Sequence, residues 1–389
     1  MENRFVYADN AATTPVAAEV LNKLLPFYTT EFGNASTLYK LGQSSHAALE
    51  NARREVALTM NAQPAEVFFV GCGTEADNLA LRGFMHSPDA KGRKHLITTA
   101  IEHPAILRTA EALEKEGFSV TYLPVDSFGV VDMAALKQAI TPDTALVSVM
   151  FGNNEVGSIE PVEEIGKLCH ENGVCFHTDA VQAFGHLPID VRAMNIDLLS
   201  LSGHKLNAPK GVGAIYIRSG IRLQPILTGG GQEKGRRSGT ENIAGIVALG
   251  EAARIKRENM NKERVHLTAL QEKLISGVLK QIPQVQLTGH PTDRLPGTAS
   301  FVFTGVEGES IVLDLDNNGI CAATGSACST ASLDPSHVLL ALGLSREVAH
   351  GSLRLTLGAQ NTEEDVEYIL ERLPRVIARL RAMSPVWEE

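Results

Sequence analysis

From about residue 65 onward, short β-branched, apolar runs alternate with helix-like segments, and this alternation constrains the fold more than any other feature. Parallel strands need a crossover between them, so the pattern predicts an α/β fold with a large, doubly wound, mostly parallel sheet. Strands are expected at Glu66–Val70, Lys94–Ala100, Ser119–Leu123, Ala145–Met150, Val174–Thr178, Ile196–Leu201 and Gly213–Ile217. Helices are expected from Thr74, which looks like an N-cap, from Pro104, and over Pro161–Asn172. A long helical stretch from Thr240 to about Ile282 then leads into a smaller α/β domain. Its strands are Thr298–Phe303, Ile320–Ala322 and Ser352–Leu357, and its helices Glu309–Asn318, Ser336–Leu342 and one from Thr362. The expected division is 15–255 for the large domain, with 1–14 and 256–389 forming the small one. The small residues of Gly325–Ser332 cannot anchor themselves in a core, so a mobile loop is expected at about 322–335.

Charge and cysteine usage narrow the function classes. The 389 residues carry 35 Lys+Arg against 45 Asp+Glu, a net charge of −10. That balance argues against nucleic acid or an anionic membrane as partner. No apolar run has the length of a membrane span, and the opening Met1-Glu2-Asn3-Arg4-Phe5 has no signal-peptide character, so a cytoplasmic location is expected. The five cysteines, Cys72, Cys169, Cys175, Cys321 and Cys328, include no CxxC pair, which supports neither a disulfide framework nor a zinc ribbon.

In open α/β sheets ligands bind outside the carboxyl ends of the strands, so the residues after each predicted strand matter most. After the first comes Gly71-Cys72-Gly73-Thr74, whose backbone N–H groups at a helix start suit an anion. The same letters give a loose dinucleotide fingerprint, but the acidic residue that should follow is missing. His103, held extended by Pro104, ends the next strand. Asn153 and Asn154 lie in a glycine-flanked loop after another. Asp179 closes Val174–Asp179 with Gln182 behind it, and a carboxylate there needs a cation or a proton. His177 and Asp179 could suggest a metal site, but no third and fourth ligand has convincing spacing. Ser202, His204 and Lys205 end the following strand, and a desolvated lysine is the usual Schiff-base nucleophile. Together these residues offer a phosphate cradle, a ring-stacking partner, a pyridinium counter-ion and a covalent lysine, the groups that pyridoxal phosphate requires.

The chain resembles the NifS/IscS-type cysteine desulfurases, a family of fold-type I pyridoxal-phosphate transferases. The resemblance rests on Asp9-Asn-Ala-Ala-Thr-Thr-Pro15, Phe32-Gly-Asn-Ala-Ser36, Gly73-Thr-Glu75, Glu102-His-Pro104, Asn153-Asn-Glu155, His177-Thr-Asp-Ala-Val-Gln182, Ser202-Gly-His-Lys205, Gly235-Arg-Arg-Ser-Gly-Thr240 and Gly325-Ser-Ala-Cys328. It implies that Lys205 carries the cofactor, Asp179 pairs with its pyridine nitrogen, Gln182 with its phenolic oxygen, and His103 stacks on its ring. It further implies phosphate binding by Gly73, Thr74, Ser202 and His204, joined by Thr240 from the other subunit of a homodimer. Asn154 and Arg354 would receive the carboxylate of L-cysteine. Cys328 matches the catalytic cysteine, which would carry a persulfide to an acceptor such as an iron–sulfur scaffold protein. No resident metal is implied, although Cys328 could transiently ligate a cluster. Two departures stand out: Ser329-Thr330 in place of the commoner Thr-Ser, and an end at Glu389 without the longer tail that some members use to meet a scaffold. The competing readings are a selenocysteine lyase or another aminotransferase-like enzyme, and a cofactor-binding scaffold without activity.

Overall fold

The computed structural model describes residues 4–325, 334–385 and 387. Its strands are β1 (Val6–Tyr7), β2 (Val67–Val70), β3 (His95–Thr99), β4 (Ser119–Leu123), β5 (Thr144–Ser148), β6 (Cys175–Asp179), β7 (Leu198–Ser202), β8 (Gly213–Ile217), β9 (Val285–Leu287), β10 (Thr298–Phe303), β11 (Ile320–Cys321) and β12 (Ser352–Thr356).

Seven of these form one sheet in the order β2-β8-β7-β6-β5-β3-β4. The run β7-β6-β5-β3-β4 is parallel throughout, whereas β8 is antiparallel to both β2 and β7. The interior strands β5, β6, β7 and β8 are buried at every residue, while the edge strand β4 is half exposed. This is the burial expected when helices cover both faces. In β2 the alternation is direct. Val67 and Phe69 join the core under Lys40–Thr59, Val162–Glu171 and the start of Ile243–Gln281, and Phe68 and Val70 join the core under Gly73–Met85 and Pro104–Lys115. Lys40–Thr59 and Ile243–Gln281 pack so closely that a methyl on Gly250 would lie 2.5 Å from Ala52 Cα.

The 39-residue helix Ile243–Gln281 serves two cores. Its first half contributes Ile246, Leu249 and Ala253 to the large sheet's core, and its second half contributes Leu267, Leu270 and Leu274 to a separate one. That second core packs under the antiparallel sheet β12-β10-β9 and the parallel pair β1-β11, and includes Phe301, Leu353 and Leu355 together with Val366, Ile369 and Leu373 of the helix Glu363–Met383. The chain's N-terminal stretch crosses between the two bodies. Asp9 bridges to Thr356, and five residues on, the Thr14 N–H donates to the His204 carbonyl at 2.9 Å.

β8 is the antiparallel strand of a sheet expected to be mostly parallel, and one helix start differs from expectation. The reversed direction of β8 follows from its connection, because residues 203–212 contain only a short turn of 3-10 helix and no crossover helix. The helix expected to be capped by Thr74 begins at Gly73, with Cys72 as its N-cap residue and no side-chain cap. The expected loop around Cys328 falls largely on residues 326–333, outside the described residues.

Candidate functional site

The carboxyl ends of β2, β3, β5, β6 and β7 open on one side of the sheet, and β12 of the second body closes over them. A cleft of about 320 Å³ lies there, lined by Gly73, Thr74, His103, Asn154, Asp179, Gln182, Ser202, His204, Lys205 and Arg354 among others. Every cofactor or substrate residue expected from sequence is therefore in one place, with two exceptions. Thr240 is exposed and does not line the cleft, and Cys328 lies outside the described residues.

The anion end is the start of Gly73–Met85. A helix leaves its first N–H groups without intrahelical partners, and here no side chain caps them. A methyl on Gly73 would sit 2.9 Å from Val181 Cγ2 and 3.3 Å from Ser202 Cβ, so the absence of a side chain lets the first turn close against β6 and β7. His204 faces the same end, with Nδ1 3.1 Å from Thr13 Oγ1. Burial and the nearby Lys205 and Lys210 push its pKa down to about 4, so it stays neutral and does not compete as a cation.

In the same cleft Asp179 is 7% exposed, and its Oδ1 accepts from the Val181 N–H at 2.9 Å. Burial raises its pKa, and His103 and Lys205 act in the opposite sense. His103 caps the helix Pro104–Lys115, its Nδ1 accepting from the Ala105 N–H at 3.1 Å. That bond needs an unprotonated Nδ1, which assigns the ring proton to Nε2 in the neutral form. Burial lowers the pKa of this imidazole as well. The Lys205 ammonium donates to the carbonyls of Ala11 and, at 2.9 Å, Ala12, while Gln182 Nε2 donates to Ala11 O at 3.0 Å. The Asp9-Asn-Ala-Ala segment thus seats the lysine.

Arg354 is 3% exposed. Its Nη2 donates to Asp9 Oδ1 at 2.9 Å and its Nη1 to the Asn154 carbonyl at 2.9 Å. Each terminal nitrogen keeps a second N–H, which suits the forked binding of a carboxylate. Asn153 holds the Asn154 loop. Its Nδ2 donates to Ile101 O at 3.0 Å, and its Oδ1 accepts the N–H groups of Glu155 and Val156 at 2.8 and 2.9 Å.

The layer beneath the cleft holds three buried polar residues, of which Asp77 is the one that sequence reasoning misses. Asp77, 1% exposed, lines the cleft one turn into its helix, and its Oδ1 has no hydrogen-bond partner among the described residues. Burial and then the Asp179 charge raise its pKa well above the carboxylate range. Glu102, fully buried, accepts from Thr99 Oγ1 and the Met150 N–H, both at 2.9 Å, and so ties the end of β3 to the end of β5. His177 bridges Ser148 and Ser200 at 2.9 and 3.0 Å and is held neutral, its pKa pushed down to about 3 by burial. Among the described residues no group of three or more His, Cys, Asp or Glu side chains is arranged to hold a metal ion. The one available signal for Asp77 is a carboxylate set in the buried stripe Ala76, Asp77, Ala80, Phe84. Of the other cysteines, Cys169 and Cys175 are buried with their thiols pushed up by burial, Cys321 is partly buried, and Cys72 lines the cleft.

These residues suit a phosphorylated, cationic heteroaromatic aldehyde. They offer free N–H groups for the phosphate, a buried carboxylate for a ring cation, and a lysine for covalent attachment. Comparison with known proteins gives the same direction. The aminotransferase class-V family profile matches residues 6–369. The cysteine desulfurase IscS of Clostridium botulinum is 55% identical over 390 residues, covering 100% of this chain and 98% of that protein. Among solved structures, a NifS-like protein superposes with a TM-score of 0.91 at 37% identity, covering 97% of this chain and all of that one. SspA in complex with cysteine gives a TM-score of 0.81 at 35% identity, over 92% of this chain and 100% of that one. No helix among the described residues is long and apolar enough to cross a membrane.

Proposed function

The chain belongs to the class-V aminotransferase family and is a cysteine desulfurase, and on that premise we propose that its cleft binds pyridoxal 5′-phosphate and L-cysteine for transfer of sulfur to Cys328. When bound, the cofactor supplies an electron sink that labilises bonds at the amino acid's Cα and Cβ. The chain's own residues do the rest. Lys205 holds the cofactor through Nζ and, once released by substrate, takes the Cα proton on that nitrogen. Asp179 would keep the proton on the ring nitrogen, Gln182 would bind the phenolic oxygen, and His103 would stack on the ring. Gly73, Thr74, Ser202 and His204 hold the phosphate, with Thr240 supplied by a second copy in a homodimer. Arg354, oriented by Asp9, and Asn154 take the substrate carboxylate. Cys328 thiolate then attacks the substrate sulfur. The C–S bond breaks, Cys328 becomes a persulfide, and the carbon skeleton leaves as L-alanine after reprotonation. A cytoplasmic sulfur-acceptor protein, such as an iron–sulfur scaffold, would receive the sulfur.

What supports this reading most is the convergence of all the described candidate residues but Thr240 on one cleft, from five strand ends and a second body. Cys328→Ser and Lys205→Ala test it. The first should keep the visible cofactor absorbance and form no alanine from L-cysteine, while the second should lose covalent attachment. Alanine formation by Cys328→Ser at the parental rate would reject the assignment.

A further inference from the structure

Glu155 is 8% exposed, lies immediately after Asn154, and does not line the cleft. Its carboxylate is bonded to Ser336 and lies near Gly325, the described residues on either side of the segment that contains Cys328. On one side, Oε2 accepts from the hydroxyl of Ser336. That hydroxyl also accepts from the N–H groups of Val338 and Leu339 at 3.1 and 3.3 Å, and so caps the helix His337–Ala341. On the other side, a methyl on Gly325 would lie 3.2 Å from Glu155 Oε2 and 3.4 Å from Ser336 Cβ. A side chain at Gly325 would therefore be tight against the Glu155–Ser336 pair, and its neighbours would have to give by a few tenths of an ångström. Gly325 and Ser336 thus both lie beside one buried carboxylate.

The same point is coupled to the substrate arginine. The Arg354 N–H donates to Ala323 O at 2.6 Å, two residues before Gly325, and Gly325 N–H donates to Ser352 Oγ at 3.2 Å. The Arg354 guanidinium in turn donates to Asn154 O, beside Glu155. One frame thus fixes both the carboxylate-binding arginine and the roots of the sulfur-accepting segment. A carboxylate so deep is expensive to keep charged. Burial pushes the Glu155 carboxyl up to about 7, with Ser336 and Arg354 opposing.

We propose that Glu155 is a positioning residue for sulfur transfer: by pinning Ser336 against Gly325 it sets where the Cys328 segment is rooted, and hence the reach of the Cys328 sulfur to L-cysteine held at Arg354. The proposal rests on the reading of Cys328 as sulfur acceptor. It confines Glu155 to the second half of the reaction, after removal of the Cα proton.

The test compares Glu155→Ala, Glu155→Gln and Ser336→Ala holoenzymes by three measurements. These are persulfide formed on Cys328 in a single turnover with L-cysteine, alkylation of Cys328 by iodoacetamide followed by peptide mass spectrometry, and exchange of the L-alanine Cα hydrogen with solvent deuterium. The last needs the cofactor and Lys205 but no thiol. In Glu155→Ala and Ser336→Ala, persulfide formation should fall about tenfold or more and the alkylation rate should change, with Cα exchange within about twofold of the parent; these ratios correspond to losses of about 1.4 and 0.4 kcal/mol. Glu155→Gln, which still accepts from Ser336, should recover most of the persulfide rate. Persulfide formation at the parental rate in both truncations would overturn the proposal. So would a parallel loss of exchange and persulfide, which would make Glu155 a support of the whole cleft. Ser336→Ala, which removes one hydroxyl, carries the test should Glu155→Ala fail to fold. A Cys328→Ser control that still desulfurates would overturn the underlying reading, and this proposal with it.

Discussion

Asp179 shows how a single residue carries chemistry. Its carboxylate closes a strand buried at every position, and burial raises its pKa, so it gains from a cation placed beside it. Asn has the same shape but cannot hold a ring cation. Asp179→Asn should therefore retain cofactor while the rate of alanine formation from L-cysteine falls by roughly 10²-fold or more, the scale of a lost proton-holding group. Absorbance spectra and alanine assays on the same preparation measure both quantities, and unimpaired turnover would remove Asp179 from this role. Asp179 is legible in the sequence because a charged residue ending an apolar run must have a partner. Asp77, just as buried and beside it in the cleft, is not. It sits inside a helix among Ala76, Leu79 and Ala80, where a carboxylate reads as part of an exposed face until the tertiary fold covers it. Asp9 escapes for a different reason: its partner Arg354 is 345 residues away, and no local pattern joins them.

At the scale of elements, the strands of the large sheet are legible because their residues are apolar on both faces, and the functional groups follow from where those strands end. Direction is less so. The run Gly213–Ile217 is equally apolar whichever way it points, and only the helix-free connection from β7 marks it as antiparallel. The helix Lys40–Thr59 is hard to read because its buried stripe is built from Gly42, Ser45, Ala52 and a buried Arg53 as much as from large apolar residues. Arg53 is buried because Glu233 accepts from Nη1 and Nη2 at 2.8 Å each. The helix start at Gly73 gives a prediction of its own. Val181 and Ser202 leave no space for a methyl, and neither side chain is long enough to swing away. Gly73→Ala should displace the first turn by a few tenths of an ångström. The cofactor dissociation constant of the apo-protein should then rise about tenfold, roughly 1.4 kcal/mol, with a melting temperature within a few degrees of the parent. Titration of apo-protein with pyridoxal 5′-phosphate gives the constant, and an unchanged value would show that this turn does not set the anion site.

For the molecule as a whole, the two bodies share the Ile243–Gln281 helix and an apolar junction of Ile101, Met150, Val302 and Leu339 beside the cleft. The site thus lies between two cores that must both be intact, and stability becomes a property of the assembly. One buried carboxyl makes that stability depend on pH. Glu160 is 3% exposed, its Oε2 accepts from the Val131 N–H at 2.9 Å, and its Oε1 has no partner among the described residues. Burial pushes its pKa up to about 8 from an ordinary value of 4.5. The folded chain therefore holds a proton there that the unfolded chain releases, so unfolding free energy contributed by this group is complete below about pH 4.5 and declines as pH rises through 8. A tenfold difference in proton affinity between the folded and unfolded chains corresponds to about 1.4 kcal/mol, so the decline should amount to a few kcal/mol. Glu155, with its pKa pushed up to about 7, adds a loss of the same sign over a window that ends lower. Glu160→Gln keeps an acceptor for Val131 and cannot ionise. Its stability relative to the parent should rise steadily between about pH 5 and pH 9, reaching roughly 2 kcal/mol or more at the alkaline end, as read from urea unfolding of the holo-protein at constant ionic strength. A difference independent of pH would mean that Glu160 is ionised in the folded chain, and that water or a cation reaches its second oxygen.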